Sequence, residues 1–105
     1  MQIDVVDHVA GASRARGIAL VIDVFRAFTV APHAVAAGAS RVLPVGAIED
    51  ALALRGTMLD AVLVGERHAR RLPGFDAGNS PTEILAVGVA GRPVIHTTHA
   101  GTQGL

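Results

Sequence analysis

The 105 residues predict an α/β protein, a three-layer α/β/α arrangement around a largely parallel or mixed sheet. Three observations lead there. Runs at 18–22 and 60–65 are nearly all apolar, short and continuous, as strands covered on both faces are, and 93–97 reads as a further core strand. Helical patterns separate such runs, and that alternation belongs to parallel sheets with helices on their faces. Half of the residues are apolar but small: Ala, Val and Gly dominate, Trp and Tyr are absent, and Phe occurs three times. Small side chains suit thin layers better than a large aromatic core.

Residues 3–6 open with a short β-type run, followed by a Gly/Ser/Arg loop at 11–17 and the apolar strand pattern 18–22. From 29 to 38 the period becomes helical, with Val30, Ala34 and Ala37 on one face and Gly38 as the stop. The run 41–45 reads as a strand in which Pro44 demands an edge or an end. Ile48, Ala51 and Leu52 mark a helix closed by Gly56, and 60–65 is the next strand. The polar stretch 66–80 is long for a connection inside a compact domain, and such lengths are often functional. Ser80-Pro81-Thr82-Glu83 then has the form of a capping box. The strand 93–97 leads into Thr98-His99-Ala100-Gly101-Thr102. A single α/β domain over 1–105 is expected, either the front part of a larger fold or a chain completed by a partner.

Nine basic residues balance nine acidic ones, and every basic residue is Arg. Without Lys there is no Schiff base and no P-loop lysine; Arg alone remains to grip an anion through paired N–H bonds. Zero net charge, with no basic run beyond Arg70-Arg71, argues against nucleic acid or a membrane surface as partner. No Cys is present, which excludes disulfides, thiolate zinc sites and cysteine nucleophiles. The acidic start MQIDVVDH and the lack of an apolar run near ~20 residues point to the cytoplasm.

Ligands of open α/β sheets bind beyond the carboxyl ends of the strands. Three polar clusters fall there: Asp23 with Arg26; Glu66 with Arg67, then Asp76, Asn79 and Ser80; and Thr97 and Thr98 with Gly101 and Thr102. Arg26 and Arg67 can clamp anionic oxygens, and the turns at Gly78-Asn79-Ser80 and Gly101-Thr102 offer backbone N–H groups. Asp23, Glu66 and Asp76 can hold a hard cation such as Mg2+. His33 reads as a surface or satisfied core residue, His96 as a structural one within its strand, and His99 as a candidate for the site. GxxxxGK[ST], GxGxxG, HExxH and GxSxG are all absent.

The segments VIDVFRAFT (21–29), VGER (64–67), GFDAGNSPTE (74–83) and HTTHAGT (96–102) resemble, in order and spacing, the 2-phosphosulfolactate phosphatase family. The resemblance implies a Mg2+-dependent phosphatase that converts 2-phosphosulfolactate into 3-sulfolactate on the route to coenzyme M. It assigns catalysis to Asp23, Arg26 and Arg67, substrate binding to Asn79, Ser80, Thr97, Thr98, Gly101 and Thr102, and metal binding to Asp23, Glu66 and Asp76. A small phosphorylated acid is the implied partner, with a homo-oligomer or a carboxy-terminal half as the associating one. The chain departs from the family pattern at Phe28, His99 and Ala100, and with His68 after Gly-Glu-Arg. These departures motivate the alternative of a non-catalytic anion-binding or assembly module.

Overall fold

The computed structural model describes residues 1–22 and 27–99. Among them the elements run α1 (His8–Ala12), α2 (Ala27–Ala36), β1 (Arg41–Pro44), α3 (Ile48–Thr57), β2 (Val62–Arg67), β3 (Arg70–Arg71), α4 (Pro81–Val87) and β4 (Pro93–Thr97). The sheet has the order β1-β4-β2-β3. β4 lies parallel to both β1 and β2, and β3 returns antiparallel to β2. Pro44, which has no N–H to give, ends the edge strand β1, as its sequence context requires.

Strand register sorts the apolar side chains into two cores. Val42, Val94 and Val62 lie in one row across the sheet, and Leu43, Ile95 and Leu63 lie in the next. Because side chains alternate along a strand, the two rows face opposite sides. The Val row joins Val30, Ala34, Ile84 and Val89, beneath α2 and α4. The other row joins Ala51, Leu72 and Phe75, beneath α3. The result is the three-layer arrangement expected. Ile84 and Ile95 are wholly buried, and each such side chain stabilises the fold by about 1.5–3 kcal/mol relative to exposure.

Two expected strands are not present. Residues 3–6 and 18–22 have no strand structure, and Ile3, Val5, Ile18, Leu20 and Ile22 are exposed. An apolar run reports side chains that favour burial; a strand also needs a neighbouring backbone, and none of the described residues pairs with these segments. The helix expected from Ile48 does not close at Gly56 but runs on to Thr57. There the Thr57 hydroxyl donates to the Leu54 carbonyl, and the Met58 N–H donates to Arg55.

The long segment 66–80 is structured rather than free. It contains the β2–β3 hairpin, and residues 72–77 then run back beside β2. Leu72 N–H donates to the Gly65 carbonyl, Gly65 N–H to Ala77, and both Asp76 and Ala77 N–H groups to Leu63. Gly65 is required by this return: a Cβ there would stand 2.7 Å from a Phe75 ring carbon.

Candidate functional site

The carboxyl ends of β2 and β4 are adjacent, since Gly65 is paired with Thr97. β2 ends in Glu66 and Arg67, and a two-residue turn, His68-Ala69, leads into β3. Both turn residues have positive φ, 53° and 60°, the pattern of a type I′ turn that ordinarily uses Asn or Gly. Each non-glycine residue there costs about 1–2 kcal/mol. The Glu66 carboxylate offsets part of that cost by accepting the Ala69 N–H at 2.7 Å. The turn brings His68 against His99, with ring centroids 5.2 Å apart and tilted by 37°.

Arg67 ties three elements together. Its guanidinium donates to the Glu66 carbonyl at 2.8 Å, to the Gly46 carbonyl at 3.2 Å and to Thr97 Oγ1 at 3.0 Å. The Thr97 hydroxyl itself donates to Gly46. Gly46 lies between β1 and α3, so a half-buried, permanently charged fork is fixed where three parallel strands end.

On the opposite face of β4, His96 and Asn79 meet. His96 Nε2 lies 3.1 Å from Asn79 Oδ1, and the two residues are only 3% and 5% exposed. With the amide oxygen in that place, the bond calls for the neutral ring to carry its proton on Nε2. Burial pushes the imidazole down to about 4, against a smaller opposing pull from the Glu66 charge, so His96 is neutral at pH 7. The sequence placed His96 as a structural strand residue; its pairing with a candidate ligand residue was not foreseen. The signal available was a single His within the otherwise apolar approach to Thr97-Thr98.

The expected capping box does not form. Ser80 occupies the N-cap of α4, but its hydroxyl makes no capping bond. Glu83 instead reaches past Ser80 to accept the Gly78 N–H at 3.0 Å. A Cβ at Gly78 would lie 2.5 Å from the Glu83 carboxylate, so glycine is what allows that approach. The carboxylate therefore holds the turn that carries Asn79.

Asp76 also has a structural partner set. Its Oδ2 accepts the Leu63 N–H at 2.8 Å and an Arg55 N–H at 2.9 Å. The Arg55 and Asp76 side chains are 30% and 33% exposed, so the ion pair itself contributes at most about 1 kcal/mol. The bond to buried Leu63 matters more. Asp76→Ala orphans that N–H and destabilises the fold by about 1–3 kcal/mol in urea unfolding, while Arg55→Ala costs less than half as much. Equal losses from the two substitutions would contradict this ordering.

Arg67 and Thr97 thus meet at the ends of β2 and β4, and Asn79 meets His96 on the other face of β4, with Thr98 buried and Ser80 half-buried. Asp76 stands apart, on Leu63 three positions before Glu66 in β2. Asp23, Arg26, Gly101 and Thr102 lie outside the described residues. Of the Mg2+ ligands suggested by the sequence, Asp23, Glu66 and Asp76, the first lies outside the described residues. Glu66 is turned to Ala69 and Asp76 to Leu63 and Arg55. No three His, Asp or Glu side chains among the described residues converge on one ion. No helix among them is long and apolar enough to cross a membrane.

Comparison with known proteins gives a consistent result. A family described as 2-phosphosulpholactate phosphatase matches residues 4–105. A probable 2-phosphosulfolactate phosphatase of Deinococcus radiodurans is 49% identical over 85 residues, covering 81% of this chain and 35% of the relative. One from Carboxydothermus hydrogenoformans is 40% identical over 106 residues, covering 100% of this chain and 44% of the relative. One from Thermotoga petrophila is 45% identical over 86 residues, covering 81% and 37%. The chain spans less than half the length of these relatives.

Proposed function

The chain belongs to the 2-phosphosulpholactate phosphatase family, and from that premise we propose that it supplies part of a site hydrolysing the phosphate ester of a small acid of the 2-phosphosulfolactate type. Arg67 is the observation that carries the reading. Three hydrogen bonds hold its guanidinium at the strand ends, the place where open α/β sheets take their ligands. A planar cation of this kind matches phosphoryl oxygens and stabilises the charge they carry as the ester bond breaks.

The reaction consumes water. Its oxygen bonds to phosphorus, the bond from phosphorus to the ester oxygen breaks, and that oxygen leaves with a proton as the hydroxyl of 3-sulfolactate. Asn79 is suited to donate its amide N–H groups to phosphoryl oxygens. Thr97 acts at one remove, by holding Arg67. Magnesium dependence belongs to this reading through the family resemblance alone; Asp23, Glu66 and Asp76 would hold the ion, and no step is routed through it.

Phosphate release from 2-phosphosulfolactate, 2-phospholactate and related phosphorylated acids tests the proposal, with and without Mg2+. It is run on these 105 residues and on a chain spanning the relatives' full length. Release from at least one of these acids is expected. Silence across all of them, from folded full-span protein, overturns the enzymatic reading and leaves a non-catalytic anion-binding module.

A further inference from the structure

We propose that His96 is a positioning residue for Asn79, turning the amide so that its NH2 rather than its carbonyl oxygen meets the anionic ligand. The inference rests on the anion site proposed above and goes beyond it in assigning a role to a residue outside that site's suggested set.

An asparagine amide presents an acceptor at one end and two donors at the other. Facing an anion, the first repels and the second binds. The choice between them is made by whatever holds the other end. Here Oδ1 lies 3.1 Å from His96 Nε2, in a buried pair. That sense of the amide needs the proton on Nε2, whereas an amide turned over would need it on Nδ1, so the tautomer of His96 and the sense of the amide are set together. The backbone that carries the imidazole is held in place. It stands on β4, the strand flanked by β1 and β2, in a row with Pro44 and Val64. On the Asn79 side, Glu83 anchors the turn through the Gly78 N–H. The backbones of both residues are thus held independently, and the tautomer of His96 sets the sense of the amide.

Nitrogen-15 NMR at pH 7 and titration with inorganic phosphate test the inference. Wild-type His96 should show the tautomer protonated at Nε2, and phosphate should shift the Asn79 side-chain amide signals. His96→Leu removes the donor and should weaken phosphate binding about tenfold. His96→Gln can still donate to Oδ1 and should bind within about threefold of wild type. Thermal melts of each variant separate lost folding from lost orientation. A wild-type His96 protonated at Nδ1 overturns the inference, as does a folded His96→Leu that binds as tightly as wild type. If His96→Leu does not fold, a folded His96→Gln weakened about tenfold or more overturns it. Absence of any phosphate response in the wild type overturns the anion-site reading, and the inference with it. A wild-type response retained by His96→Leu removes the inference alone.

Discussion

Arg67→Ala lowers kcat/KM for phosphate release by about 100- to 1000-fold, the range seen when one preorganised donor to a developing oxyanion is removed. The expectation follows from how the guanidinium is held. Glu66, Gly46 and Thr97 fix its plane before any ligand arrives, so no ordering of a long side chain is needed at the moment of reaction. Arg67→Lys keeps the charge but not the fork. A single ammonium has no second nitrogen with which to hold this three-acceptor frame and face a phosphate at once, so the loss stays at about tenfold or more. Arg67 is half-buried at the strand ends, outside both hydrophobic cores, so both variants fold, which circular dichroism and melting curves check. Retention of activity within about threefold in Arg67→Ala would remove Arg67 from the site.

Acid should weaken the fold through His96. Its folded value of about 4 lies below the ordinary 6.5, chiefly because burial disfavours the charged ring. As pH falls below 6.5 the unfolded chain binds a proton that the folded chain refuses until about pH 4. Stability is therefore fully present above pH 6.5 and is lost on the way down to 4, by about 3 kcal/mol at most. In urea unfolding at pH 7 and pH 4.5, wild type should lose about 2–3 kcal/mol more than His96→Gln, which has nothing to protonate at that position. Carboxylates titrating near pH 4.5 affect both proteins alike, so the difference belongs to His96. Parallel losses in the two proteins would contradict the assignment.

The two faces of the sheet were legible in the sequence because each strand that formed had its apolar pattern and its neighbours within the described chain. β2 opens with an apolar run, β4 centres on Val94-Ile95, and Pro44 marks its own edge. Residues 18–22 carry the same signal and form no strand, since apolar periodicity says nothing about which backbone completes the ladder. The β2–β3 hairpin was hidden for another reason. Its turn is His68-Ala69 and its return strand is Arg70-Arg71, with neither the turn residues nor the apolar alternation that announce a hairpin.

The candidate site was legible in part. Residue type and strand-end position suffice to bring Arg67, Asn79, Thr97 and Thr98 into consideration, and the fold joins Arg67 to Thr97 on one face of β4 and Asn79 to His96 on the other. What local sequence does not carry is the partner of each polar atom. Asp76 has the look of a metal ligand in GFDAGNSP, yet its carboxylate completes the backbone of Leu63 across the sheet edge. Glu83 stands where a capping box would need it, and spans instead to Gly78. His96 differs from a simple core histidine only through Asn79, a residue 17 positions away.

The central claim is that a phosphate group is taken at the joined carboxyl ends of β2 and β4. Mapping the backbone and side-chain NMR shifts caused by inorganic phosphate tests it most directly. Shifts centred on Glu66–Ala69, Gly78–Ser80 and His96–His99, abolished in Arg67→Ala, are the predicted result. Shifts confined to another part of the chain, or unchanged by Arg67→Ala, would contradict it.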